Sequence, residues 1–285
     1  MNGRKLAFTK MHGCGNDYIY FNCFEDPVEN PEELAVRLSD RHKGVGGDGV
    51  ILICPSHVAD VQMRMFNLDG SEGKMCGNGI RCVAKFAYDH NIARKPKLKI
   101  ETRSGIKTCT IREEDGKAVA VTVDMGKAIL RPEEIPVKLP GKAVIGESVS
   151  IGGRDWEITC VSMGNPHCVV FGDDPDLLEL ERLGPKFEQA PLFPEQVNTE
   201  FIQVKNDHTL KMRVWERGSG ETMACGTGAC AAAVAAVLRG YCPKGSDILV
   251  HLRGGDLVIN YTDDRVLMTG EAVEVFRGEI NWEAE

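Results

Sequence analysis

Short runs of alternating hydrophobic and polar residues, or of clustered β-branched residues, recur along the whole chain. Gly, Asn, Asp and other turn residues bound these runs, which is typical of β-strands. The pattern therefore predicts a strand-rich protein. The predicted strands are Asp17–Asn22, Val50–Cys54, Val61–Asn67, Ala118–Asp124, His167–Phe171, Leu210–Trp215, Ile248–Leu252, Leu257–Tyr261 and Ala272–Phe276.

Three segments show helical spacing instead. Asn30, followed by a proline and two acidic residues, predicts a helix start with Asn30 as the N-cap. After Gly79, apolar residues recur at i, i+3, i+4 and i+7 as far as Tyr88, which predicts a helix with one buried face. After Gly228 the chain is apolar on nearly all sides as far as Gly240, which predicts a helix buried in a core.

The middle of the chain contains an internal repeat. Residues 63–79 (MRMFNLDGSEGKMCGNG) align without a gap on residues 212–228 (MRVWERGSGETMACGTG), and six of the 17 positions are identical. The same offset of 149 residues places Gly15-Asn16 on Gly164-Asn165. This period is far longer than the ~20–50 residues of a solenoid unit, so it predicts two similar domains with a related site in each. The predicted domains are residues 1–125 with 271–285, and residues 126–270.

Each copy of the repeat carries a cysteine, Cys76 or Cys225, in a Cys-Gly-x-Gly sequence before a predicted helix. The glycines form a turn that a ligand can approach closely. The N-terminus of the following helix offers N–H groups and a positive dipole end. We therefore expect a lowered pKa for both thiols, and a bound carboxylate if the two helix starts converge. Such a pair suits the inversion of a stereocentre, because one group removes a proton and the other returns one to the opposite face.

Other interpretations of these motifs have less support. A single Cys-Gly-x-Gly is most often core packing, but two copies at matching positions favour function. No two cysteines show the Cys-x2-Cys spacing, so we predict no metal site. Gly44–Gly49 matches the dinucleotide pattern G-x-G-x-x-G, but a predicted strand follows it where a helix is needed. We interpret this segment as a turn near the ligand.

Composition narrows the class of partner. The 285 residues include 34 Lys and Arg against 42 Asp and Glu, a net charge of −8, which argues against a nucleic-acid partner. The longest apolar stretch, Ala229–Leu238, is about half of what crosses a bilayer, and the N-terminus lacks the apolar core of a secretion signal. The odd number of cysteines, 11, predicts free thiols in a reducing compartment. We expect a cytoplasmic protein with a small-molecule substrate and no membrane partner.

Polar residues around the repeat are candidate ligands for a zwitterion. Glu216-Arg217 supplies both charges, although a surface ion pair is an equal alternative. His167 is either a satisfied core histidine or a modulator of a nearby thiol. Amide side chains can hold ammonium and carboxylate groups without titrating. The candidate amides are Asn16, Asn67, Asn165 and Asn198.

Five segments occur in a characteristic order: MHGCGND (11–17), FNLDGSE (66–72), MCGNGIRC (75–82), GNPH (164–167) and ERGSGETMACGTG (216–228). Together they resemble the diaminopimelate epimerase family over nearly the whole chain. The resemblance implies a mixed α/β (α+β) fold of two pseudo-symmetric domains, each with strands wrapped around a central helix.

The resemblance also implies an activity. The family epimerises LL- to meso-2,6-diaminopimelate without a cofactor, toward lysine and peptidoglycan, with Cys76 and Cys225 as acid and base. It is often a homodimer, and Phe276 occupies a dimer-contact position. Some relatives carry a longer amide at Gly49, where only a backbone or water contact is possible here. The other implied site residues are Gly77, Asn78, Gly226 and Thr227 at the reacting carboxylate, Asn16, Asn67, Asn165, Asn198, Glu216 and Arg217 as further substrate contacts, and His167 and Glu216 as groups that tune the thiols.

Two alternatives stay open at this point. The same fold could serve a proline racemase-like or phenazine-type isomerase, which a substrate panel would distinguish. From a different class, the chain could be a non-catalytic thiol switch in which Cys76 and Cys225 pair reversibly. Activity of the fully reduced, metal-free protein would exclude the switch.

Overall fold

The computed structural model of the chain describes residues 4–283. These residues form two compact units. The first contains the described residues up to Val123 and those from Gly270 onwards, and the second is Asp124–Thr269.

The first unit combines two helices, α1 (Pro31–Ser39) and α2 (Gly77–Asp89), with a mixed sheet. Strand β8 runs across the division into the second unit. The strands are β1 (Arg4–Gly13), β2 (Asn16–Asn22), β3 (Gly49–Cys54), β4 (Val61–Asn67), β5 (Glu72–Gly73), β6 (Lys97–Thr102), β7 (Gly105–Glu114), β8 (Lys117–Gly126) and the last strand, β18 (Val273–Trp282).

The second unit also has two α-helices, α3 (Leu180–Glu188) and α4 (Gly226–Leu238), and short 3₁₀ turns at Pro132–Glu134 and Pro175–Leu177. Its strands are β9 (Ile145–Ile151), β10 (Arg154–Ser162), β11 (Pro166–Phe171), β12 (Asn198–Asn206), β13 (Thr209–Glu216), β14 (Gly220–Glu221), β15 (Asp247–Leu252), β16 (Gly255–Tyr261) and β17 (Val266–Gly270).

The two units share one strand order. In the first unit it is β18-β1-β2-β3-β4-β6-β7-β8, in which only β2–β3 and β4–β6 are parallel. In the second it is β9-β10-β11-β12-β13-β15-β16-β17, in which only β11–β12 and β13–β15 are parallel. Each sheet packs on several sides of one helix, α2 or α4. The predicted α+β class, with strands wrapped around a central helix, is confirmed.

The repeat seen in the sequence extends to the elements themselves. Shifted by 149 residues, the bounds of α1 coincide with those of α3, and the bounds of α2 with those of α4. The identical residues of the repeat also keep their contacts. Arg64 pairs with Glu72 at 2.9 Å, and Arg213 with Glu221 at 2.7 Å, between Nε and Oε1 in both cases.

Burial of the central helices follows from the surrounding strands. Helix α4 is buried on nearly all sides, as predicted, and its alanines let the strands approach closely. The prediction of a single buried face is wrong for α2, where every residue is buried except Lys85 and Asp89, which are partly exposed as whole residues. Even Arg81 is fully buried, and its guanidinium donates to the carbonyls of Glu271 and Gly77, both at 3.1 Å.

Helix α3 was not predicted from the sequence. Gly184 and Pro185 lie inside α3, and both residues disfavour helix by propensity. Packing against β12, β13 and β14 holds the segment in place. Asn30 is the N-cap of α1, as predicted, although it adopts a left-handed conformation with φ 52° and makes no side-chain capping hydrogen bond. Across residues 4–283, no helix is long and apolar enough to span a membrane.

Candidate active site

In the first unit, Cys76 is the N-cap of α2, and its Sγ accepts a hydrogen bond from the Gly79 N–H at 3.3 Å. The thiol donates to the side-chain amide oxygen Oδ1 of Asn16 at 3.2 Å, where β2 begins. The Tyr18 hydroxyl hydrogen-bonds the same sulfur. The amide nitrogen of Asn16 donates to Asp48 at 2.7 Å, which fixes the orientation of the amide. The helix start and strand β2 together hold this thiol.

The second unit repeats the arrangement around Cys225, the N-cap of α4. Its Sγ accepts from the Gly228 N–H at 3.4 Å and lies 3.5 Å from the Thr227 hydroxyl. The Asn165 amide donates to that hydroxyl at 3.3 Å. The Glu216 carboxylate hydrogen-bonds the thiol. Each unit therefore holds one cysteine at the N-terminus of its central helix, among polar side chains from strand ends.

The glycines of the motif lie in the first helical turn, not in a turn before it. The helices begin at Gly77 and Gly226, so the prediction that they begin after the last glycine is wrong. The sulfur caps the helix and allows it to start earlier. At Gly79, a Cβ would lie 2.6 Å from the Ile51 Cδ1, so glycine is needed there for close packing.

The predicted lowering of the two thiol pKa values is wrong for this structure. Burial raises the pKa of Cys76, although helix N–H groups and the Tyr18 hydroxyl act in the opposite direction. Burial raises the pKa of Cys225 well above its usual range, and the nearby Glu216 and Glu200 carboxylates raise it further. Desolvation of a thiolate therefore outweighs the helix N-terminus at both positions.

Asn198 and Asn67 lie at strand ends, as predicted, but have different surroundings. Asn198 is buried; its amide donates to the Pro166 carbonyl and accepts from the Arg217 N–H, both at 2.9 Å. Asn67 donates to the Ser71 hydroxyl at 3.0 Å and stays more exposed. Asn198 is therefore fixed by backbone groups, while Asn67 belongs to a local turn.

Glu216 and Arg217 have separate partners. The Glu216 carboxylate accepts from the Thr222 hydroxyl, and the Arg217 guanidinium donates to the Glu195 carbonyl at 2.8 Å. The alternative of a surface ion pair between these neighbours is therefore not what the structure contains.

His167 is fully buried, as the core interpretation expects, and its ring nitrogens face Glu200 and Asn165. The sequence analysis missed Glu200, Thr222, Tyr18 and Asp48. Tyr18 could have been found from the repeat, because the offset of 149 residues aligns it with the candidate His167.

The glycine-rich segment 44–49 leads directly into strand β3, so a strand follows this segment, as predicted. A Cβ on Gly49 would lie 2.1 Å from the Phe66 carbonyl oxygen, so the backbone leaves no room for a side chain. In the described part of the chain, no group of three or more His, Cys, Asp or Glu side chains is arranged to hold a metal ion.

Glu216→Gln is expected to stabilise the protein at neutral pH. Burial raises the pKa of Glu216, and the Glu200 carboxylate adds to this, while Thr222, Cys225 and His167 act in the opposite direction. Because the folded-state pKa exceeds the unfolded value, this carboxyl favours folding at low pH. That contribution is lost as the pH rises from the usual 4.5 through the raised folded pKa. Glutamine does not ionise, so the free energy of unfolding of the variant exceeds that of the wild type above this window.

Urea denaturation at about pH 4 and about pH 8 measures this difference. Glu114→Gln is a matched control, since the Glu114 side chain is 65% exposed and no pH-dependent difference is expected. A Glu216→Gln variant that is less stable than the wild type at the higher pH contradicts the prediction.

Solved structures share this fold. A phenazine biosynthesis protein of the PhzF family from Bacillus anthracis superposes with a TM-score of 0.70 at 18% identity, covering 97% of this chain and 99% of that one. A hydroxyproline epimerase from Agrobacterium vitis gives a TM-score of 0.69 at 15% identity, covering 97% and 92%. At such identities the likeness concerns the fold alone. It places the chain in the structural class that contains these two proteins.

Sequence relatives narrow the class to one family. The sequence pattern of the diaminopimelate epimerase family matches residues 8–131 and 159–275. A diaminopimelate epimerase from Acetivibrio thermocellus is 54% identical over 278 residues, covering 97% of this chain and 99% of the relative. One from Bacillus licheniformis is 52% identical over 278 residues, covering 96% and 98%. The chain belongs to the diaminopimelate epimerase family and is an isomerase. This membership favours the family's activity over the racemase-like, phenazine-type and thiol-switch alternatives.

Proposed function

We propose that this chain converts LL-2,6-diaminopimelate to meso-2,6-diaminopimelate without a cofactor, using Cys76 and Cys225 as acid and base. The observation that carries the proposal is the duplicated geometry, in which each unit holds a cysteine as the N-cap of its central helix. Family membership supports the substrate. In this proposal each predicted domain, residues 1–125 with 271–285 and residues 126–270, contributes one of the two cysteines.

The proposed reaction consists of proton transfers only. One cysteine thiolate removes the proton from the α-carbon, and the electron pair left on carbon delocalises into the adjacent carboxylate. The other thiol then donates its proton to the opposite face of that carbon. The first cysteine ends as a thiol and the second as a thiolate, so atoms and charge balance. The reverse reaction exchanges the two roles.

Negative charge develops on the reacting carboxylate during this step. In the proposal, backbone N–H groups at Gly77-Asn78 and Gly226-Thr227 bind it, since both pairs form the first residues of a helix. N–H groups and the positive dipole end at such a position stabilise an anion. These N–H groups are in place before the additional negative charge develops. They therefore stabilise the carbanion more than the bound substrate.

The raised pKa values of the thiols also have a role in this proposal. A buried thiolate is costly, but the α-ammonium group of the substrate brings a positive charge that favours it. The carboxylate of Glu216 disfavours negative charge on Cys225 and so tunes this thiol toward the acid form. His167 belongs to the same group of tuning residues and contacts Asn165 rather than the sulfur.

The remaining candidates are proposed to recognise the rest of the diaminopimelate zwitterion. When a substrate lacks the matching polar or charged groups, these protein side chains are left without hydrogen-bond partners. The site therefore discriminates strongly against such substrates. At Gly49 the contact would come from the backbone or through water. The proposed recognition residues are Asn16, Asn67, Asn165, Asn198, Glu216 and Arg217.

The proposed setting is the cytoplasm, in lysine and peptidoglycan precursor synthesis. Both thiols must stay reduced to transfer protons, which a reducing compartment favours. We also propose a homodimer that uses β18, because Phe276 and its neighbour Val275 are 47% and 54% exposed there. Large apolar side chains that are exposed on one strand are a candidate contact surface.

Incubation of the reduced, metal-free protein with LL-diaminopimelate in D₂O tests the proposal. We expect meso-diaminopimelate that carries deuterium at the inverted α-carbon, because the donated proton comes from a thiol that exchanges with solvent. Mass spectrometry and NMR at low conversion measure the label. Absence of conversion, or inversion without any solvent deuterium, contradicts the two-thiol mechanism.

A further inference from the structure

We propose that Glu200 is a positioning residue that holds His167 and, through it, fixes the Asn165 amide beside the start of helix α4. The inference rests on the proposed function and deepens it, because it adds a residue to the half of the site that contains Cys225. Glu200 lies on β12, two residues after Asn198, and the sequence analysis did not single it out.

Glu200 and His167 form a pair with no access to solvent. Both side chains are 0% exposed, and His167 Nδ1 lies 2.7 Å from Glu200 Oε1. The second carboxylate oxygen, Oε2, has no hydrogen-bond partner among residues 4–283. A buried carboxylate that is only partly satisfied costs folding free energy, which an apolar residue of similar size avoids. Stability therefore does not explain why a glutamate is buried beside His167.

The other side of the histidine ring leads to the candidate active site. Its Nε2 lies 3.0 Å from the Asn165 Oδ1, and the Asn165 amide nitrogen donates to the Thr227 hydroxyl at 3.3 Å. An amide oxygen can only accept, so in this arrangement Nε2 carries a proton. Glu200 holds Nδ1, and the ring cannot rotate without breaking that contact. The amide is thus fixed with its NH₂ group toward Thr227, the second residue of α4.

The first unit shows that the fold does not require this pair. The offset of 149 residues places Ile51 at the position of Glu200 and Tyr18 at the position of His167. Both residues are buried, at 0% and 5% exposed. The same strand order thus buries an isoleucine where the second unit buries a carboxylate, so packing alone does not select glutamate.

The two side chains also occupy the same place against the central helix. A Cβ on Gly79 would lie 2.6 Å from the Ile51 Cδ1, and a Cβ on Gly228 would lie 2.6 Å from the Glu200 Oε1. Each side chain therefore packs on the third residue of its helix. The structural space is equivalent, and the difference lies in the chemistry of the group that fills it.

Glu200→Gln tests the inference, because it keeps the shape and removes the charge. We expect kcat/KM for LL-diaminopimelate to fall on the order of tenfold, chiefly through a higher KM, since a neutral amide holds Nδ1 more weakly than a carboxylate and the Asn165 amide is less firmly fixed. We expect the Tm to stay unchanged or to rise. The double variant His167→Tyr/Glu200→Ile copies the pair of the first unit, and for it we expect at least the same loss of kcat/KM with an unchanged or higher Tm.

Asp89→Asn is a matched control for a buried carboxylate in a structural role. The Asp89 side chain is 7% exposed and pairs with Lys85 at 2.8 Å, at the end of α2 farthest from Cys76. We expect a lower Tm and an unchanged kcat/KM. Glu200→Gln is thus expected to lower kcat/KM without lowering the Tm, whereas Asp89→Asn is expected to lower the Tm without changing kcat/KM. This contrast separates a positioning role from a structural one.

A readout that does not depend on activity is the protonation of His167, measured by ¹H–¹⁵N NMR on ¹⁵N-histidine protein. We expect a slowly exchanging Nε2–H signal, assigned by its absence in the double variant, and faster exchange of that signal in Glu200→Gln. An unprotonated Nε2 in the wild type overturns the inference. So does a Glu200→Gln variant with wild-type kcat/KM, or one whose loss of activity comes with a loss of Tm. If the wild type lacks epimerase activity but gives the expected NMR result, the proposed function fails and the positioning of Asn165 stands.

Discussion

Replacing either Cys76 or Cys225 by alanine is expected to lower kcat/KM for diaminopimelate epimerisation by roughly 10³- to 10⁴-fold. Each thiol is required in both directions, once as base and once as acid, so neither can be lost without stopping inversion. Both cysteines cap a helix through Sγ. Loss of a cap costs only about 1 kcal/mol, and the variants should therefore remain folded. Initial rates in both directions measure the effect.

Cys242→Ala is the matched control for the loss of a thiol. Cys242 is a free, buried cysteine that follows the C-terminal end of α4, the opposite end of the helix from Cys225. We expect wild-type kcat/KM for this variant. If a single variant at Cys76 or Cys225 stays within tenfold of the wild type, the assigned pair is wrong.

Gly184→Ala is expected to lower the free energy of unfolding by about 3 kcal/mol. Gly184 lies in α3, and a Cβ there would be 2.1 Å from Cδ2 of the Trp215 ring. The ring cannot move away easily, because it is 8% exposed and its Nε1 donates to Glu188 at 2.7 Å. In most helices a Gly→Ala substitution stabilises the protein by up to about 1 kcal/mol. A loss of stability here would therefore report the contact of the new Cβ with the Trp215 ring.

Urea denaturation followed by circular dichroism measures this change. Gly172→Ala is the control, since a Cβ on Gly172 meets no atom within 4 Å and we expect a change near zero. A Gly184→Ala variant as stable as the wild type would show that α3 can shift away from Trp215.

Hydrophobic patterning and turn residues predicted many of the strands, and helices α1, α2 and α4, among residues 4–283. Val61–Asn67 coincides with β4, and the other predicted strands fall within one or two residues of observed ones, except that Ala272–Phe276 covers only the first part of β18, which continues to Trp282. Some missed strands have many exposed residues, such as β9, where only Ile151 is buried, but others, such as β12, have a run of buried residues. Strand β9 is held by pairing with β10 rather than by its own pattern, so its sequence carries little signal.

Helix α3 also could not be predicted from its own sequence. Gly184-Pro185 argues against a helix when the segment is considered alone. Its counterpart α1 was predicted, because a proline at the first position and the early acids are local signals. Only the fold reveals that both helices occupy equivalent positions on equivalent sheets.

The sequence by itself determined the repeat, the two cysteines before the central helices, the amides at strand ends and the family. These features depend on residue type and spacing, which the chain carries directly. The tertiary structure decided the electrostatics. Helix position alone favours a lowered thiol pKa, but burial among the surrounding residues raises the pKa of half-buried Cys76 and, more strongly, that of buried Cys225. The contact of Glu200 with His167 joins residues 33 positions apart, and only the parallel pairing of β11 with β12 brings them together.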